Sequence, residues 1–142
     1  MNYLAHLYLA DAAKDSLVGH LLGDFVKGGA IHRYDPAIQA AIRFHRKVDS
    51  FSDAHPLTRV SRNRIGSQRR RFAGIMVDVC YDHFLARRWH RFTDEALPAF
   101  VQRVYDDLQW NRNHLPEAAA DVVARMVSYD WLGGYHDINK VG

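Results

Sequence analysis

The segment Ile75–Leu85 constrains the fold more than any other, because apolar residues at helical spacing surround ionisable ones. The apolar positions are Ile75, Val79, Phe84 and Leu85, and the ionisable residues are Asp78, Asp82 and His83. The periodicity predicts a buried helix. An unpaired carboxylate in an apolar interior costs on the order of several kcal/mol. This helix therefore needs either ion-pair partners and a satisfied core histidine, or a cation that its side chains share.

Helical periodicity continues along the chain, and no segment has the alternation of a strand. We expect an all-α fold, a helical bundle, in one domain over residues 1–142, since this length supports one core but hardly two. Asp35 followed by Pro36 predicts a helix over about 36–54. The pattern also predicts helices over Leu17–Val26 and over about 57–65.

Histidine and aspartate recur four residues apart, which places both on one helix face. The pairs are His20 with Asp24 and His45 with Asp49. His6 lies among leucines near the start of the chain. A core histidine or a simple ion pair would also explain each position. Gly19 and Gly23 admit either a ligand or a closely packed helix.

Histidine and carboxylate ligands on several apolar helices favour Mn²⁺, Fe²⁺ or Zn²⁺ over Ca²⁺. The single cysteine, Cys80, excludes an internal disulfide and a thiolate zinc site. HD-type phosphohydrolases also hold a metal with histidine and aspartate from several helices. The dipeptide Asp82-His83 has the reverse of their order.

The positive charge of the chain is concentrated in residues 59–71, which contain no acidic residue. The arginines of this segment are Arg59, Arg62, Arg64, Arg69, Arg70 and Arg71. A local basic patch attracts acidic partners, although a solvated helix face is the simpler explanation. No apolar run is long enough for a membrane span, and the N-terminal residues lack signal-peptide features, so we expect a cytoplasmic protein.

Five motifs, in order and at matching spacing, resemble those of the acyl carrier protein phosphodiesterases. They are Asn2–His6 (NYLAH), Gly23–Val26 (GDFV), His45–Asp49 (HRKVD), Ser52–Pro56 (SDAHP) and Asp78–Leu85 (DVCYDHFL). The resemblance is specific as far as Trp89 and weaker beyond it, where Asp130–Leu132 still fits. Family members continue beyond the point where this chain stops, so we expect a C-terminal helical part to be missing.

The resemblance implies a distorted HD-domain fold and a divalent ion, most commonly Mn²⁺, with Mg²⁺ or Fe²⁺ as alternatives. The implied reaction removes 4′-phosphopantetheine from holo acyl carrier protein. The expected metal ligands are Asp24, His45, Asp49, Asp82 and His83. Asp78 is the expected general base, and His6 the expected ligand of metal or phosphate. The arginines of residues 59–71 are expected to bind the acidic carrier protein, with neither nucleic acid nor membrane as partner.

Two other functions also fit parts of the sequence. An HD-type hydrolase of a small nucleotide such as guanosine tetraphosphate would use the same metal site and place the arginines on phosphates. A helical module without enzymatic activity would bind nucleic acid through residues 59–71. That segment lacks interleaved aromatic residues for base stacking, and nucleic-acid binding leaves the histidine and aspartate set unexplained.

Overall fold

The computed structural model describes residues 1–140, which are mainly helical and contain no β-strand. The all-α prediction is confirmed, whereas the likeness to the HD-domain fold stays a prediction. The α-helices are α1 (Tyr3–Ala12), α2 (Leu17–Leu22), α3 (Pro36–Ala54), α4 (Pro56–Asn63), α5 (Ala73–Arg87), α6 (Leu97–Trp110), α7 (Glu117–Ser128) and α8 (Trp131–Gly134). Short 3₁₀ segments include Gly28–Arg33 and Ser67–Phe72.

Side-chain caps set several helix boundaries. Asp35 accepts a hydrogen bond from the Ile38 amide, and Pro36 occupies the first position of α3, as predicted. The predicted extension of α2 to Val26 is wrong, because the helix ends at Leu22 and a turn follows. Arg46 of α3 donates to the Val26 carbonyl at 2.7 Å, which holds that turn against α3.

The hydrophobic core lies between α1, α2, α6 and α7, and it includes Ile42 of α3 and Trp89. Helix α2 approaches α3 closely because Gly19 has no side chain. A Cβ at Gly19 would overlap the Cβ of Ala41 and lie 3.2 Å from the Ile38 carbonyl oxygen. The glycine spacing in α2 therefore serves helix packing here.

Helix α1 is held at both ends. At its start, Asp82 accepts hydrogen bonds from the amides of Leu4 and Ala5, at 2.7 and 3.0 Å. At its end, Asp11 receives two hydrogen bonds from the Arg103 guanidinium of α6. Arg103 also binds Glu95 through two nitrogens.

Helix α5 is only partly buried, contrary to the prediction from its sequence. Ile75 is 68% exposed and Phe84 is 53% exposed, whereas Val77 and Asp82 are buried. Asp82 is covered because α1 begins beside it and donates two backbone amides to its carboxylate. Ile75 lies two turns before Asp82 on the same face of α5, and Phe84 lies on another face.

The contact between α2 and α3 yields a stability prediction. We expect Gly19→Ala to lower the free energy of unfolding by about 1–3 kcal/mol, because overpacking at a rigid contact exceeds the gain in helix propensity. Gly29→Ala is the control, since no atom lies within 4 Å of a Cβ there. Denaturation with urea measures both, and an equally stable Gly19→Ala variant would contradict the packing described.

Candidate metal centre

Three buried histidines from three helices converge beside the core: His6 of α1, His20 of α2 and His45 of α3. Their potential ligand nitrogens lie within 4.8 Å of one another. The rings of His6 and His45 stack at 3.8 Å between centroids and 9° between planes. His20 lies outside the ligand set predicted from the sequence. Its spacing to Asp24 on an apolar helix is the sequence signal that points to it.

Most of the buried ring nitrogens have no hydrogen-bond partner. The unpaired nitrogens are Nδ1 of His6, Nδ1 of His45, and both nitrogens of His20. Buried polar atoms are normally paired, so an unpaired set of this kind fits ligands whose ion is supplied from outside. The unpaired ring nitrogens agree with the divalent cation expected from the sequence.

Two carboxylates complete the cluster around His45. Its Nε2 lies 3.3 Å from an oxygen of Asp24 and 3.2 Å from an oxygen of Asp49. The other oxygen of Asp49 accepts a hydrogen bond from Nε2 of His6 at 2.9 Å. Asp24, His45 and Asp49 form a second group with ligand atoms within 4.8 Å. Asp49 therefore joins α1 to α3 at the centre of the site.

The turn after α2 brings Asp24 to this position. Gly23 precedes it, and a Cβ at Gly23 would overlap the His45 ring. The hydrogen bond from Arg46 to Val26 holds the other side of the turn. The local structure thus explains the motif Gly23–Val26. Gly23 leaves room for the imidazole of His45, and Asp24 places its carboxylate beside that ring.

The charge state of the metal-free cluster follows from its burial and contacts. Burial alone would lower the pKa of His45, but Asp24 and Asp49 overcome this and raise the pKa to about 9. Burial lowers the pKa of His20 to about 4, and it also lowers the pKa of His6. For Asp49, hydrogen bonds from His45 and His6 outweigh burial and hold the pKa well below its usual range. The site at neutral pH is therefore one imidazolium among carboxylates and neutral imidazoles.

Asp78 faces the same centre from α5. The α-amino group of Met1 lies 3.2 Å from an oxygen of Asp78 and 3.2 Å from an oxygen of Asp49. Nearby carboxylates overcome the effect of burial and raise the pKa of this amino group. Oδ1 of Asp78 is buried without a hydrogen-bond partner. The space between α3 and α5 thus already holds a positive charge.

Asp82 and His83 lie outside both groups of potential ligands. Asp82 is fully buried and caps α1, whose own N-cap residue, Asn2, makes no side-chain cap bond. Burial raises the pKa of Asp82 to about 7, while its two amide hydrogen bonds oppose that rise. His83 donates from Nδ1 to the Tyr135 carbonyl at 2.7 Å. The structure thus brings His6, Asp24, His45, Asp49 and Asp78 together, but not these two residues.

The arginines of residues 59–71 lie on α4, on the turn after it and on Ser67–Phe72. All but Arg62 are exposed. Within residues 1–140, Arg62 is the one of the six that forms an ion pair, with Asp53 of α3. Asp53 follows Asp49 by one helical turn, so this pair links the basic segment to the edge of the site. Over the same residues, no helix is both long and apolar enough to cross a bilayer.

Histidines from three helices, with two aspartates beside them, give a donor set that could hold a divalent metal ion. The comparison with known families makes this specific. The sequence model of the family described as acyl carrier protein phosphodiesterase matches residues 1–142. This chain belongs to that family.

Curated relatives carry the same description. The acyl carrier protein phosphodiesterase of Yersinia pestis is 39% identical over 97% of this chain and 72% of its own length. Those of Serratia proteamaculans and Photorhabdus laumondii are 38% and 37% identical, over 100% and 97% of this chain and 74% and 70% of their own lengths. No solved structure matches the chain.

The pKa of His45 predicts how stability varies with pH in the chelator-treated protein. A histidine whose pKa rises from 6.5 to about 9 on folding contributes stability that is present below pH 6.5 and lost towards pH 9. We expect the free energy of unfolding to fall across this range. Asp24→Asn should make the fall smaller, because it removes one of the carboxylates that raise the pKa.

Asp121→Asn is the matched control for this experiment, since Asp121 is exposed on α7 and outside the cluster. Chemical denaturation at closely spaced pH values measures the three proteins. Identical pH profiles for wild type and Asp24→Asn would show that Asp24 does not determine the charge of His45.

Proposed function

We propose that the chain hydrolyses the phosphodiester between 4′-phosphopantetheine and a serine of holo acyl carrier protein. The products are the apo carrier protein and 4′-phosphopantetheine. One observation supports this proposal most: Asp49 joins two histidines from different helices, and buried ring nitrogens without partners surround it. Such a donor set suits the divalent ion that phosphodiester hydrolysis commonly requires. The family membership agrees with this chemistry.

Asp24, His45 and Asp49 are the proposed ligands, because their carboxylates supply the negative charge that a divalent ion needs. His6 and His20 offer further nitrogens on the same side of His45. Mn²⁺ is the proposed ion, and Mg²⁺ and Fe²⁺ are alternatives. Mn²⁺ is preferred to Mg²⁺ because the site offers histidine nitrogens, whereas Mg²⁺ prefers oxygen ligands alone. When bound, the ion polarises a phosphoryl oxygen and lowers the pKa of water.

The residues of the chain supply the proton transfers and the orientation. Asp78 faces Asp49 from α5 and has a buried oxygen free of partners, so it is the proposed acceptor of the proton from the attacking water. The water oxygen bonds to phosphorus, the bond between phosphorus and the serine oxygen breaks, and that oxygen takes up a proton. His6 is neutral and its Nε2–H is held by Asp49, so its Nδ1 carries a lone pair, which suits a ligand of the ion.

Neither alternative function receives comparable support. A nucleotide hydrolase would share the metal site, but the curated relatives are named for acyl carrier protein. A nucleic-acid-binding module does not explain three buried histidines around an aspartate. Incubation with Mn²⁺ and either holo carrier protein or guanosine tetraphosphate, with detection of released 4′-phosphopantetheine or pyrophosphate, decides between the enzymes.

The proposed ligand set predicts the effect of two matched substitutions on metal binding. Asp49→Asn should weaken Mn²⁺ binding tenfold or more, because it removes a ligand and the partner that orients His6 and His45. Asp53→Asn, one turn further along the exposed side of α3, should leave it unchanged. Titration with Mn²⁺ followed by electron paramagnetic resonance measures free ion. Equal affinities in the two variants would contradict the assignment.

Asp82 provides a second comparison in the same assay. As a cap of α1, Asp82→Ala should lower the free energy of unfolding by about 0.5–2 kcal/mol, while the folded protein still takes up Mn²⁺ at the wild-type stoichiometry. If it loses the ion while remaining equally stable, Asp82 is a ligand, as the sequence first indicated.

The chemistry predicts the fate of the oxygen from water. Hydrolysis in water enriched in heavy oxygen should place the label on the phosphate of 4′-phosphopantetheine, and not on the carrier serine. Elimination would instead leave dehydroalanine on the carrier, which mass spectrometry distinguishes. Asp78→Asn should reduce turnover with Mn²⁺ binding retained, because the proton acceptor is lost. Asp121→Asn is the control with wild-type turnover.

A further inference from the structure

Helix α4 presents apolar side chains to solvent. Leu57 and Val60 lie three residues apart on its outer face and are 65% and 47% exposed. The adjoining face is fixed, because Thr58 is buried and the Ser61 hydroxyl lies 2.7 Å from that of Tyr81 on α5. The outward position of Leu57 and Val60 is therefore set by the packing of α4.

The segment Ser67–Phe72 extends this surface. Phe72 is 48% exposed, and the guanidinium of Arg71 lies 4.6 Å from the centre of its ring. Arg62 and Arg70 line one cleft of about 580 Å³ with Asn63, Ala73 and Gly74. Arginines from α4 and from Ser67–Phe72 thus border the same cleft.

The charge of this surface is positive and largely uncompensated. Residues 59–71 hold six arginines and no acidic residue, and within residues 1–140 only Arg62 among the six has a carboxylate partner. Exposed apolar side chains among unpaired arginines match a partner that is acidic and carries apolar residues among its charges. Charge complementarity of this kind guides association, while apolar contacts at the centre supply most of the affinity.

The surface also borders the proposed active site. Arg62 pairs with Asp53, one turn after Asp49, and Gly74 of the cleft precedes Asp78 by one turn. One turn of helix advances about 5.4 Å. The phosphodiester to be cleaved is attached directly to a serine side chain, so the body of the carrier protein must contact the enzyme close to the site.

We propose that Leu57, Val60, Phe72 and the six arginines of residues 59–71 form a docking face for the acidic surface of acyl carrier protein. The apolar residues form its centre and the arginines its rim. This inference rests on the proposed function for the identity of the partner. To the arginines expected from the sequence, the docking face adds an apolar centre formed by Leu57, Val60 and Phe72.

Binding of apo carrier protein tests the docking face separately from the chemistry, because the apo form has no bond to cleave. Arg69→Glu with Arg70→Glu should slow association by about tenfold at low ionic strength, and the effect should diminish as salt screens the charges. Leu57→Ala with Val60→Ala should weaken binding about fivefold or more by faster dissociation, with little dependence on salt. Surface-plasmon resonance measures both rates.

Matched controls lie on other surfaces of the chain. Arg112→Glu with Arg125→Glu reverses two exposed charges near and on α7, and Trp110→Ala truncates an exposed aromatic residue at the end of α6. Both should bind the carrier as wild type does. Thermal unfolding of every variant checks that none has lost its fold.

The outcomes separate the two proposals. Wild-type binding of apo carrier protein by both face variants overturns the docking face, as does a wild-type protein that does not bind the carrier. Tighter binding of a single-stranded oligonucleotide than of the carrier, lost in the same variants, also overturns it. Binding that depends on the face while holo carrier protein is not hydrolysed supports the docking face and contradicts the proposed function. With hydrolysis present, the face variants should raise KM and leave kcat nearly unchanged.

Discussion

The close approach of α2 to α3 is the constraint on which the site depends. Glycine at positions 19 and 23 removes the side chains that would separate the helices at Ala41 and at His45. Without that approach, His20 and Asp24 would not reach the imidazole of His45. Asp49 then completes the arrangement, since its two oxygens face histidines from α1 and α3. Helix packing and the geometry of the candidate metal centre are therefore set by the same few positions.

The second determinant is a carboxylate that is distant in sequence. Asp82 caps α1 from α5, so the position of His6 depends on a residue 76 positions later in the chain. This explains why aspartate and histidine are buried in α5 without joining the cluster. The dipeptide Asp82-His83 fastens α1 and the Tyr135 region to α5, whereas Asp78 on the same helix faces the site.

Much of this could be predicted from the sequence, for physical reasons that differ between residues. The bounds of α3 follow from a local cap and a proline, and the spacing of His45 and Asp49 places both on one face of it. His20 was missed because a single histidine on an apolar helix looks the same whether it is a ligand or part of the core. The burial of Ile75 was wrongly predicted because periodicity identifies a helix face but not the neighbour that covers it. That neighbour, α1, begins beside Asp82 and leaves Ile75 in solvent.

The attachment of α1 at both ends has a consequence for motion. Asp82 holds its first turn, and Arg103 holds Asp11 at its last turn while binding Glu95 as well. A helix fixed in this way cannot pivot or slide without breaking several charged hydrogen bonds at once, so it moves only with α5 and α6. The wall of the site that carries His6 is therefore tied to α5 and α6, so a shift of either helix would move His6 relative to His45 on α3.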